Sequence, residues 1–129
     1  MPSEKHQAQK IWAHYKYEIL AQSPKIYLEI RQYLKQESIS LTKLENLIQT
    51  AQALPENRSH YTVAFQHIWG YFKKKASPSE KEDFLFELQR YQAGQIPASQ
   101  IISDLNKLLQ AYPNPYLEGS SLLHFKKTS

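Results

Sequence analysis

HYTVAFQHIWGYFKKK, residues 60–75, decides the fold class. At about 100° per residue, Tyr61, Phe65, Ile68, Trp69 and Phe72 share one apolar face. That spacing predicts an amphipathic helix with one face in a core. His60, Ala64, His67, Tyr71 and Lys74 fall on a second stripe beside the first. Gly70 lies next to that stripe, where a glycine costs about 1 kcal/mol relative to alanine. A close approach by another helix or by a ligand is therefore expected there. Lys73, Lys74 and Lys75 follow at the end where cations complement the helix dipole. The second stripe has two readings. Either its histidines are hydrogen-bonded boundary residues and its lysines a C-terminal cap, or it is a surface for phosphate and an aromatic base.

The same periodicity continues outward. Upstream, Ile11, Trp12, Tyr15, Ile19 and Leu20 mark a helix from about His6 to Gln22. It stops at Ser23-Pro24, because a residue before proline is pushed out of the α region. Ser23 and Pro24 suit the start of the next helix, whose stripe is Ile26, Tyr27, Ile30, Tyr33 and Leu34. A third helix begins near residues 40–42 and ends before Pro55, with Leu41, Leu44, Leu47, Ile48 and Ala51 inward. Thr42 and Glu45 are spaced as its capping box. Downstream, Ser77 and Glu80 are spaced as another such box, and Gly94 ends the fifth helix. Ile101, Ile102, Leu105, Leu108, Leu109 and Tyr112 share a face of a sixth, from about Pro97 to Ala111. Tyr112-Pro113-Asn114-Pro115-Tyr116 stops it. Glu18 and Glu29 read as residues of polar helix faces. The expected fold is all-α: one compact bundle of about six helices with short links, a single domain over 1–129. The tail, 118–129, is expected to be mobile unless Leu122, Leu123 and Phe125 dock on the body.

Composition narrows the chemistry. The 129 residues contain no cysteine, so cysteine nucleophiles, cysteine-ligated zinc and iron–sulfur clusters on this chain are excluded. The start, MPSEKHQAQKIW, has no apolar run of signal-peptide length, and no segment approaches the ~20 apolar residues of a membrane helix. A soluble, cytoplasmic protein without a membrane partner is expected. The net charge is +4, unevenly spread. Residues 1–75 hold 11 Lys/Arg against 6 Asp/Glu, and residues 76–129 hold 5 against 6. The basic first part permits an anionic partner, although ordinary surface scatter also produces such a bias. His60 and His67 lie seven apart, but no third metal ligand stands near them in sequence. No glycine-rich phosphate loop or nucleophile-elbow motif is present, so no catalytic residue, metal or other cofactor is assigned. Lys10, His14, Lys16 and Tyr17 on the first helix and Lys25, Arg31 and Lys35 on the second add basic and aromatic groups.

Several motifs, in order, span residues 10–117. They are His14-Tyr15-Lys16-Tyr17, Ala21-Gln22-Ser23-Pro24-Lys25-x-Tyr27, His60, and Gln66-His67-Ile68-x-Gly70-Tyr71-Phe72-Lys73-Lys74. Tyr91-x-x-Gly94-x-Ile96-Pro97 and Tyr112-Pro113-x-Pro115-Tyr116-Leu117 complete the set. The chain thereby resembles the YbgA-like bacterial family, a domain of unknown function. This chain has Thr62 where the family commonly has Asn, and Gln22 where it commonly has His. Such domains occur alone or fused to a cysteine-rich domain that removes sulfur from thiolated uracil with an iron–sulfur cluster.

In that fusion the helical part looks like the RNA holder. The resemblance thus implies an RNA-binding module for tRNA, with a desulfidase or other modifying enzyme as partner. It puts the binding role on Lys16, Ser23, Lys25, His60, His67, Tyr71, Lys73 and Lys74. Without cysteine, the sulfur chemistry itself does not carry over. Two alternatives stand beside this reading. One is a cofactor-free enzyme acting on a nucleotide or modified base, with His67 as acid–base group and Tyr71 as its partner. The other is an α-helical adaptor that binds a protein, marked by a large exposed apolar patch.

Overall fold

Small polar side chains set where the helices begin. A computed structural model describes residues 3–124, and seven α-helices lie among them. Six start at Ser3, Ser23, Ser40, Asn57, Ser77 or Asn114, each accepting a hydrogen bond from a backbone N–H in the first turn. Such caps satisfy donors that a helix leaves free. The order is α1 (Glu4–Gln22), α2 (Pro24–Tyr33), α3 (Leu41–Gln52), α4 (Arg58–Trp69), α5 (Pro78–Gln92), α6 (Ala98–Ala111) and α7 (Pro115–Glu118). A 3-10 turn, Ser121–His124, follows. The all-α bundle of about six helices is therefore present, as six long helices with the short α7 added. No strand occurs among the described residues, and no helix there is long and apolar enough to cross a membrane.

Several helix ends follow local rules. Ser77 and Glu80 close the expected capping box. Gly94 adopts φ +77°, with Gln95 N–H bonded to the Arg90 carbonyl and Gly94 N–H to the Tyr91 carbonyl, both 2.9 Å. This is the Schellman arrangement, which needs a left-handed residue after the helix. Two ends differ from expectation. Ser40 caps α3 instead of Thr42: its hydroxyl accepts from Lys43 N–H at 3.3 Å. The opening segment is helical only as far as Trp69, and 70–75 continues as turns. There the backbone tightens to i→i+3 bonds, Tyr71 to Ile68 and Phe72 to Trp69. Gly70 is the C-cap, at φ −54°. A Cβ on it would meet only the carbonyls of His67 and Gln66, so no other helix approaches there.

α1 is the wall between two cores. Its Tyr17, Leu20 and Ala21 pack with Tyr61, Phe65, Ile68, Trp69 and Phe72 of α4 and its turn, and with the apolar faces of α5 and α6. Its Ala8 and Ile19 pack on the other side with Ile30, Leu44, Ile48 and Ala51 of α2 and α3. Flanked on both sides, α1 buries every residue from Tyr17 to Gln22. Glu18 is thus not on a polar face: it is 4% exposed and accepts a 2.9 Å hydrogen bond from Gln52 Nε2. Leu122 and Leu123 are buried in the α4–α6 core, so the described part of the tail docks. Phe125 lies outside the described residues.

Candidate functional site

Charge, exposure and aromatic rings converge where α1, the end of α4 and α7 meet. Tyr17 points from α1 into the core, 5% exposed, and its hydroxyl shares a 2.7 Å hydrogen bond with that of Tyr71. Burial, and then this bond, pushes the Tyr17 phenol well above its ordinary pKa. Tyr17 therefore stays neutral and anchors Tyr71. The Tyr71 ring, 37% exposed, lies 6.1 Å from that of Tyr116, 44% exposed, with 26° between their planes. Lys16 donates to the Tyr116 hydroxyl at 3.4 Å, and its ammonium stands 5.5 Å from the Tyr17 ring centre and 5.8 Å from that of Tyr116. Such distances allow cation–π attraction.

The third member is held by the end of the chain. Asn114 caps α7, and Leu117 of α7 is fully buried. His14 Nδ1 donates to the Gly119 carbonyl at 2.5 Å, and His124 Nε2 to that of Glu118 at 2.6 Å. A carbonyl only accepts, so each of these nitrogens carries a proton. Two histidines thus clamp the C-terminal end of α7, and with it Tyr116.

The eight residues expected to bind separate into groups. Lys16 and Tyr71 meet at the aromatic cluster. Lys73 and Lys74 are exposed in the turn directly after Tyr71, and His67 is exposed about one helical turn before it. His60 lies eleven residues before Tyr71, about 16 Å along a helix, at the opposite end of α4. Its Nδ1 is buried without a hydrogen-bond partner among the described residues. Ala64, between the two histidines, is fully buried, so the second stripe is interrupted by core. Ser23 is buried, and its hydroxyl caps α2 by accepting from Ile26 N–H at 3.1 Å. Lys25 is exposed in the first turn of α2, and no contact ties it to the aromatic cluster.

Tyr116 is the member that sequence reasoning missed: it stands in a helix stop and in the last of the family motifs, but not among the expected binding residues. The signal was its place after two prolines, which end one helix and start another.

Elsewhere, Gln22 and Thr62 stand at the two positions where the resembled family commonly differs. Gln22 Nε2 donates to the carbonyls of Ala51 at 2.9 Å and Leu54 at 2.7 Å, and its Oε1 accepts from the Tyr61 hydroxyl. It closes the end of α3. The Thr62 hydroxyl is buried without a partner among the described residues. A cleft of about 450 Å³ between α5 and α6 carries Glu80, Asp83, Glu87 and Asp104 beside Phe86. Burial pushes the Asp104 carboxyl up, whereas hydrogen bonds from Tyr112 and the Ser77 backbone hold Glu80 down. With four carboxyl groups against the single ammonium of Lys107, the cleft is a poor place for phosphate. Among the described residues no three histidine or carboxylate side chains converge as a metal set.

A family model described as a protein of unknown function (DUF1722) matches residues 16–125. No curated protein and no solved structure matches the chain.

Proposed function

The chain belongs to the DUF1722 family of proteins of unknown function, and from that premise we propose that it is an RNA-binding module for tRNA, working in the cytoplasm with a separate modifying or desulfurising enzyme. The observation that carries this reading is the exposed Tyr71–Tyr116 ring pair with Lys16 against it and Lys73 and Lys74 just beyond. Among the described residues, none of Lys16, Lys73 and Lys74 is paired with a carboxylate, so the lysines of the patch are available to phosphate. Rings supply stacking, and ammonium groups supply charge. The resemblance to domains fused with a thiouracil desulfidase points to the same class of ligand. Lys16, Lys73 and Lys74 take phosphates in this reading, and His67 and Tyr71 contact sugar or base. Ser23 is left out, because its hydroxyl is committed to a cap. The enzymatic alternative has less support, since His67 stands outside the acidic cleft and outside the small cleft lined by Arg58, Thr62 and Gln92.

Anisotropy of labelled bulk tRNA, with duplex DNA as control, tests the proposal across a salt series. Three phosphate contacts predict about a 20- to 40-fold loss of affinity between 50 and 200 mM salt. The double variant Lys73→Glu/Lys74→Glu is expected to abolish binding with an unchanged melting curve. Binding by wild type that survives this double charge reversal would place the RNA elsewhere. No binding at low salt would remove the reading and leave the protein-adaptor alternative.

A further inference from the structure

Resting on that reading, we infer that Tyr71 and Tyr116 form a stacking platform for an unpaired base, with Lys16 taking the phosphate next to it. The ligand class is therefore single-stranded or looped RNA and not the duplex stem. Three observations carry this. First, both residues are more than a third exposed and their rings are neighbours. The two rings thus form one contiguous exposed aromatic surface. Second, the two rings form a stacked pair, 6.1 Å between centres with 26° between their planes, so an added base extends an aromatic stack that already exists. In a duplex each base face is covered by its neighbours, so such a surface meets only a base that has left the stack. Third, the surface is preorganised. The bond to buried Tyr17 fixes Tyr71, and Leu117, His14 and His124 fix the segment that carries Tyr116. A ring already held loses little conformational freedom on binding.

Charge selects the occupant. Lys16 is the cation in contact with both Tyr17 and Tyr116, and among the described residues its ammonium makes one hydrogen bond, a 3.4 Å contact to the Tyr116 hydroxyl. That bond is long enough to exchange for a phosphate oxygen, which gives a shorter, charge-assisted one. An apolar protein segment would cover the rings but leave Lys16 without an anion. A nucleotide satisfies both.

The test compares a short single-stranded RNA with the same strand in a blunt duplex. Each probe carries 2-aminopurine, whose fluorescence falls when it stacks. Wild type is expected to prefer the single strand and to quench the probe. Tyr116→Leu keeps apolar bulk on α7 but removes the ring. It is expected to weaken single-strand binding by about 5- to 150-fold, the effect of losing one base–aromatic stack, and to abolish quenching. Tyr116→Phe should restore both to within about twofold, because stacking needs only the ring. Lys16→Gln should lower the salt slope by about one unit while quenching remains. Equal binding of duplex and single strand, or undiminished quenching in Tyr116→Leu, overturns the platform. In that case salt-sensitive tRNA binding that is lost in Lys73→Glu/Lys74→Glu still supports the RNA reading. Failure of wild type to bind any RNA removes both.

Discussion

At the scale of single residues, the polar groups of α1 decide more than their number suggests. Glu18 and Gln22 look like ordinary surface residues, yet both are buried because α1 is flanked on two sides. A buried amide must spend its donors and acceptor inside the protein. Gln22 does so by joining the end of α3 to the Tyr61 hydroxyl. Gln22→Ala leaves the buried Tyr61 hydroxyl unpartnered, at about 1–3 kcal/mol, whereas the Ala51 carbonyl keeps the Leu54 N–H at 3.1 Å. Urea unfolding should show a loss of about 1–3 kcal/mol. A loss below about 1 kcal/mol would mean that water replaces the amide. Lys16 and Tyr71 are the opposite case, since both retain exposed surface and their value lies in what they still have free.

Among the elements, α5 has the most regular ends, and each end rests on one residue. Ser77 and Glu80 exchange hydrogen bonds at its start, 3.1 Å and 2.8 Å long. Ser77→Ala is expected to lower stability by about 1 kcal/mol. At its finish Gly94 holds φ +77°, and a Cβ there would also press on the Arg58 guanidinium at 3.2 Å. Gly94→Ala should lower stability by about 1–2 kcal/mol, the penalty for an L-residue in the left-handed region. Differential scanning calorimetry reads both, and two stabilising or neutral substitutions would contradict the roles assigned to these caps. α4 shows what happens where such a device is lacking. Gly70 stays right-handed, so the chain does not turn sharply away but tightens into successive turns. That geometry sets Tyr71 against Tyr17 and leaves Lys73 and Lys74 exposed. α7 is too short to be stable alone, and its position comes from Leu117 and the two histidines.

Across the whole molecule, buried tyrosines tie stability to alkaline pH. Burial, followed by the charges of Glu56 and Glu18, pushes the Tyr61 phenol up to about 12. Burial raises Tyr17 and Tyr91 too, and Tyr91 also donates a 2.8 Å hydrogen bond to Glu56. Each of these groups holds its proton more tightly folded than unfolded. Their contribution is complete below the unfolded value of about 10. It is lost as pH rises from there, by about 1.4 kcal/mol per unit for each tyrosine still protonated only in the folded state. For Tyr61 the loss runs from pH 10 to about 12. Denaturant midpoints should therefore hold steady between pH 8 and 9.5 and fall steeply above pH 10. Tyr61→Phe should make that fall shallower, and an unchanged slope would show that this tyrosine titrates freely.

By itself the sequence determined what is local. The apolar spacing of α2 to α6, the stop at Ser23-Pro24, the start at Ser77-Pro78 and the turn at Gly94 all lie within a few residues of their cause. Backbone hydrogen bonds and caps reach only three or four positions along the chain. This is also why the end of the opening segment was misread, since the three lysines extend a helical pattern that the backbone leaves at Gly70. Only the tertiary structure decided which polar residues are buried and which exposed ones meet. Tyr17 and Tyr71 are 54 residues apart, and Lys16 and Tyr116 are 100 apart. No periodicity spans such distances. They come together because α1 is enclosed by two cores and because the last described turn docks Leu122 and Leu123. Burial of apolar surface, which is non-directional and indifferent to separation along the chain, made that choice.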